Sequence, residues 1–263
     1  MTFISFVRAA ISLPMMMSIV LSSAQAQESA RENAQQNAKQ NDGVARIVAW
    51  RPKPGMEREF EEGYKRHLEW HRKNDDTWTW HGWTLISGER DGIFVDGTFF
   101  HKWTDLDAPV NPSADSANNS VNVEPYADVQ SVATYEAVPA LTNFSPRNLS
   151  SPVLTFCYIE LMPGHDAQFE SLTADGLRGA TGTPMPHALL RPVNGTSEYL
   201  LLLAGEKVSD LGTQAAFLAR LLQSIAKDPK RPNIVVHVRT ETARHRPDMS
   251  YIPAEKPNAS GEK

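Results

Sequence analysis

Apolar and polar positions first fall into order at Val44, where Val44-Ala-Arg-Ile-Val-Ala-Trp50 forms a strand-like run that leads through Pro54-Gly55 into a helical pattern reaching Phe60 and Glu61. The same succession returns later. Val153-Leu-Thr-Phe-Cys-Tyr-Ile-Glu-Leu161 leads through Pro163-Gly164 into Phe169 and Glu170, and all four landmarks are displaced by a constant 109 positions. In the first stretch, strands are predicted over Trp78 to Ile86 and Ile93 to Trp103, and a closing strand over Ser131 to Val138. In the second they are predicted over His187 to Val193 and Ser197 to Ala204, joined by the hairpin signal Asn194-Gly195, with a closing strand over Ile234 to Glu241. The endings also correspond, since Pro139-Ala-Leu141-Thr142-Asn-Phe144 is echoed 108 positions on by Pro247-Asp-Met249-Ser250-Tyr-Ile252. An internal repeat of this kind organises the whole chain.

A second helix is clear only in the later copy. There Ser209-Asp210 precedes Leu211 to Ala226, whose Ala216, Leu218, Leu221, Leu222 and Ile225 form an apolar face that Pro229 ends. The matching stretch Ala108 to Tyr126 is rich in Pro, Asn and Ser, and is expected to be a long loop with at most a short helix. Each copy is therefore a βαββαβ unit of ferredoxin-like type.

This pattern, carried by the strand–Pro-Gly–helix openings Val48 to Phe60 and Ile159 to Phe169 and by the closing strands, resembles the dimeric α/β-barrel superfamily that includes the antibiotic-biosynthesis-monooxygenase-like proteins. The resemblance implies an α+β fold in which two tandem units pair their sheets as a pseudo-dimeric barrel, existing as a monomeric pseudo-dimer or as a homodimer. It bears on fold more than on activity, because the shared motifs are turns rather than catalytic signatures.

The chain's start adds a location. Arg8, the apolar run Ala9 to Leu21 and the small-residue pattern Ala24-x-Ala26 read as a cleavable export signal, too short to span a bilayer. The expected layout is a signal peptide over 1–26, a polar disordered leader over 27–43, the first unit over 44–148, the second over 149–254 and a disordered tail over 255–263. A periplasmic or secreted protein follows. Composition narrows the partners further: 31 acidic against 26 basic residues, with no basic block, speaks against nucleic acid and against an anionic membrane surface. The single cysteine, Cys157, sits in an apolar strand and reads as a core residue.

Candidate chemistry is concentrated in the first copy. Phe60, Tyr64, His67, Leu68 and His71 share one helical face, whereas the 109-residue offset puts Thr173, Gly176 and Ala180 opposite Tyr64, His67 and His71. Five of the six tryptophans and four of the eight histidines lie between His67 and Trp103. Alternation places Trp78 and Trp80 on one strand face and His81, Trp83 and Leu85 on the other. On the next strand, His101 is expected beside Phe99 and Trp103, with Asp96 opposite, beside Phe94 and Thr98.

Tyr64, His67, His71 and His81 are the candidate acid–base set, and Trp80, Trp83, Asp96 and His101 the candidate pocket for a small aromatic or hydrophobic molecule. The same aromatic residues also suit plain core packing. The spacing His67-x3-His71 suits a metal on one helix face, but the third ligand would have to be His81, His101 or Asp96, so no metal ligands are assigned. No dinucleotide fingerprint, P-loop, CxxC or nucleophile elbow is present.

The expected activity is cofactor-independent acid–base chemistry, either oxygenation or a lyase, decarboxylase or isomerase reaction. The alternative is a non-catalytic periplasmic binding protein for a hydrophobic ligand such as haem, which the resemblance implies; no cofactor is expected for the enzyme, with haem or a single metal ion the groups left open.

Overall fold

The computed structural model describes residues 43–178, 185–226 and 233–253. The residues read above as signal and tail, nearly all of those read as leader, Ala180 and Pro229 lie outside them. Eight strands form one closed barrel: β1 (Val44–Pro52), β2 (His81–Ser87), β3 (Phe94–His101), β4 (Ala127–Ala137), β5 (Val153–Leu161), β6 (His187–Asn194), β7 (Glu198–Gly205) and β8 (Val235–His245). Around the barrel they run β1-β3-β2-β8-β5-β7-β6-β4 and back to β1.

Each run of four strands has the order 4-1-3-2 of a ferredoxin-like sheet, and the two sheets are joined at equivalent seams. The second strand of one run pairs with the last of the other, at β2–β8 and at β4–β6. Every strand thereby has two neighbours and no unpaired edge remains. The expected α+β pseudo-dimeric barrel is the observed fold.

Two faces result from strict alternation. Ala45, Ile47 and Ala49 of β1, Trp83 and Leu85 of β2, and Phe156 and Tyr158 of β5 point inward and fill the barrel. The outer faces carry helices: α1 (Glu57–Lys73) and α2 (Pro112–Asn122) on the first sheet, α3 (Asp166–Arg178) and α4 (Leu211–Ala226) on the second. Under α3 and α4 the space is packed with Phe169, Tyr199, Phe217, Leu218, Leu221 and Ile225. Cys157 is buried there, and burial pushes its thiol up to about 12, which makes it an inert core residue.

Several expected boundaries move. The second strand begins at His81 rather than Trp78, because Trp80 pairs instead in an isolated bridge with Tyr251. The closing strands run longer than expected, from Ala127 and as far as His245.

The largest correction is α2. Ala108 to Tyr126 holds an 11-residue helix, started by Asn111 as N-cap, with its side chain accepting from the Ala114 amide, and by Pro112 in the first turn. None of its residues is fully buried, so the apolar stripe that usually betrays a helix is missing. No helix among the described residues is long and apolar enough to cross a membrane.

Candidate functional site

The helices over the first sheet cover polar and titratable side chains where those over the second cover mostly apolar ones. Between α1, α2 and strands β1, β3 and β4 lies a cavity of about 300 Å³ whose walls include Tyr64, His67, His71, Trp80, Asp96 and Asp115. Five of the eight residues picked out from the sequence meet there: Tyr64, His67, His71, Trp80 and Asp96. Helical spacing brings the first three to the same side, and the even positions of β1 and β3 supply Arg46, Val48, Trp50 and Asp96 beneath them.

His71 is the most firmly held of the group. Its Nδ1–H donates to Asp76 Oδ2 at 2.8 Å, and both side chains are almost wholly buried. Asp76 also accepts the Trp80 indole N–H at 3.0 Å and the Trp78 amide at 3.0 Å, while its backbone oxygen takes the Tyr251 hydroxyl at 2.7 Å. Burial alone would raise the Asp76 carboxyl, but donation from His71, Trp78 and Trp80 outweighs it and holds the group below its ordinary value. An ionised Asp76 fixes a proton of His71 on Nδ1 and turns the Nε2 side of the ring toward the cavity.

His67 is fixed from the other side, by α2. Arg66 donates to Asn122 Oδ1 at 2.9 Å, which leaves the Asn122 amide to donate to Asn118 Oδ1 at 3.2 Å. The same Asn118 oxygen accepts from His67 Nδ1 at 3.0 Å. His67 therefore carries a proton on Nδ1, and its Nε2 lies within hydrogen-bond distance of that of His71, at 3.3 Å. Burial holds the His67 ring below its usual pKa, in the neutral form. Asp115 completes the group, with Oδ1 3.5 Å from His67 Nε2 and 3.6 Å from His71 Nε2.

At the cavity floor, Asp96 accepts the Trp50 indole N–H at 2.7 Å and faces the Tyr64 hydroxyl. Burial dominates here and raises the Asp96 carboxyl to about 6, despite the opposing help of Trp50, Arg46 and Tyr64. The Tyr64 hydroxyl is pushed well above its ordinary value by burial and by the neighbouring carboxylate, so it remains a proton donor.

The other three residues go elsewhere. His81 and Trp83 point into the barrel, where His81 stacks on Trp83 and approaches His245. The indole of Trp83 donates to the Leu149 carbonyl. His101 packs at a tilt of 38° against Trp78 with ring centres 4.3 Å apart and bonds Thr98, outside the cavity wall. It departs from the expected face because Phe100 adopts a left-handed backbone (φ 62°), which breaks the alternation and brings His101 back to the side of Thr98.

Asp115, Asn118 and Asn119 were invisible from the sequence, since they belong to the stretch read as a loop. Asp76 carried one available signal, its place two residues before the Trp78–Trp80 cluster.

No protein-family model matches the chain, and no curated protein matches it either. Solved structures do. A candidate monooxygenase from Lactobacillus acidophilus NCFM superposes with a TM-score of 0.54 at 10% identity, covering 80% of this chain and 96% of the other. A chlorite dismutase from Candidatus Nitrospira defluvii, solved with imidazole, gives 0.51 at 7% identity over 81% and 95%. An anthrone oxidase-like protein gives 0.50 at 10% identity over 85% and 98%. At such identities the likeness is one of fold, and that fold is the dimeric α/β barrel.

Proposed function

We propose that this chain is an exported enzyme acting on a small aromatic or otherwise hydrophobic molecule in the cavity between α1, α2 and the first sheet. The observation that carries the proposal is the His71–Asp76 hydrogen bond, which fixes the ring and aims its Nε2 into the cavity. Opposite it stands Asp96, whose carboxyl titrates near 6 and can take up or give back a proton around neutrality. Trp50, Tyr64 and Trp80 supply aromatic walls. The chemistry that suits these parts is proton removal from an acidic substrate position, a step shared by cofactor-independent oxygenation and by lyase or isomerase reactions.

The lining favours a small substrate with a polar head over storage of a flat macrocycle such as haem. Arg46, Asp96, Asp115, Asn119 and Glu124 interrupt the apolar walls, and about 300 Å³ is at the small end for ligand pockets. Turnover of a panel of phenolic and other weakly acidic aromatic compounds tests the proposal. His71→Ala and Asp96→Asn should each lower it about 100-fold or more. Unchanged turnover in both variants overturns the assignment, and a Soret band in the protein as purified would favour haem binding instead.

Export rests on the signal-like residues 1–26. Its test is the N-terminus of the protein recovered from the periplasm, expected to begin at Gln27. Recovery of uncleaved chain in the cytosol overturns it.

A further inference from the structure

Three atoms able to ligate an ion converge at one end of the cavity: His67 Nε2, His71 Nε2 and Asp115 Oδ1. Each ring is held through Nδ1 by a carboxylate or amide oxygen, so the two Nε2 atoms, 3.3 Å apart, face one another and Asp115. Asp115 Oδ1, the third, is buried without a hydrogen-bond partner although the rest of its side chain is partly exposed. One turn along α2, Asn119 Oδ1 is a further buried acceptor with no donor. Buried oxygen acceptors left without a donor are costly unless something positive lies beside them.

From this triangle we propose that His67, His71 and Asp115 form a binding site for one divalent transition-metal ion. The size of the triangle decides in favour of an ion. Its edges are 3.3, 3.5 and 3.6 Å. A tetrahedral ion with bonds of about 2.1 Å needs its ligand atoms about 3.4 Å apart. All three atoms lie within 4.8 Å of one another on side chains projecting from two packed helices.

Two imidazoles and one carboxylate select a borderline ion such as zinc or ferrous iron over magnesium or calcium, which prefer oxygen alone. The surroundings are those of a metal centre: Asp76 orients one imidazole and Asn118 the other, as outer-sphere acceptors do. Only three side chains approach, so the ion would keep open positions toward the cavity that Trp80 and Asp96 also line. The inference rests on the proposed function and deepens it at the same site: with an ion bound, His71 Nε2 is a ligand, and Asp96 is left as the proton acceptor in the cavity.

The test is equilibrium dialysis and calorimetry on chelator-treated, full-length protein with Zn²⁺ alone, and with Co²⁺ as a spectroscopic probe. One equivalent should bind, and Co²⁺ should develop the intense visible bands of a low-coordinate site. Asp115→Ala and His67→Ala should each weaken binding about 100-fold or more, and Asp76→Asn about 10- to 100-fold. His237→Ala, at an exposed histidine far along the chain, should leave it unchanged.

Circular dichroism of each variant separates loss of a ligand from loss of the fold. Where Asp115→Ala does not fold, Asp115→Asn takes its place. Failure of the wild type to bind one equivalent, or binding indifferent to Asp115, overturns the metal site. In that event turnover that survives chelator yet still needs His71 leaves the proposed enzyme standing. Stoichiometric metal without turnover of any substrate does the reverse.

Discussion

The backbone oxygen of Asn122 occupies the place where a side chain on Gly63 would begin, 1.8 Å from the ideal Cβ position. Only glycine lets α2 lie this close to α1, and closeness is what brings Asp115 and Asn118 within reach of His67. Gly63→Ala should push α2 away, costing about 1–3 kcal/mol of stability and lowering turnover and metal affinity together. Gly212→Ala in α4, where nothing lies within 4 Å, should be neutral or slightly stabilising. Thermal melts of the two variants make the comparison; equal melting temperatures would contradict it.

Asp76→Asn tests whether the buried carboxylate works through His71. The amide can still accept one hydrogen bond but no longer fixes the imidazole proton on Nδ1. We expect kcat to fall about 100-fold or more with KM little changed. A rise in KM alone would instead make Asp76 a prop for the Trp80 wall, whose indole it also holds.

Asp96 should leave a mark on stability as a function of pH. An unfolded aspartate ionises near 3.8, whereas Asp96 in the fold keeps its proton to about 6. Between these values the native state binds more protons than the unfolded one, so stability falls as pH rises from about 4 to 6. The cost is on the order of 3 kcal/mol and is fully present above pH 6. Asp96→Asn should therefore melt above the parent at pH 7 to 8 and converge with it near pH 4. A variant destabilised equally at every pH would refute this.

His81 acts in the opposite sense. Burial, with a smaller push from His245, drops its pKa from 6.5 to about 3, and its Nδ1 has no partner. Below pH 6.5 the unfolded chain gains a proton that the native chain refuses, so stability drains away as pH falls toward 3. His81→Leu should remove much of this loss, worth a few kcal/mol, and shift acid unfolding to lower pH. Its turnover at neutral pH should stay within about twofold, since His81 faces the barrel and not the cavity.

Much of this was legible in the sequence because repetition is a strong signal. Pro54-Gly55 and Pro163-Gly164, at one offset, fixed the βα openings and with them the tandem barrel. The helical face of Tyr64, His67 and His71 was legible for the same reason: 3.6-residue spacing needs no tertiary knowledge. Asp115 was hidden because α2 turns asparagines, not leucines, toward its neighbour, so its periodicity is written in residues that also make loops. His101 was misplaced by a single left-handed residue, Phe100, that no alternation rule anticipates. His81 and Trp83 were assigned to the right strand face, but which face looked onto helices and which into the barrel depended on closure by strands from the other copy.

The two seams β2–β8 and β4–β6 have one more consequence. Where such a barrel is assembled from two identical chains, every substitution is written twice, and a helix emptied to make room for a ligand is emptied on both sides. Joining the copies in one polypeptide removes that constraint. One side can keep Phe169, Phe217 and Leu221 as apolar packing while the other is furnished with histidines and carboxylates around a cavity. The lopsidedness of this molecule is a freedom that only a fused pair possesses.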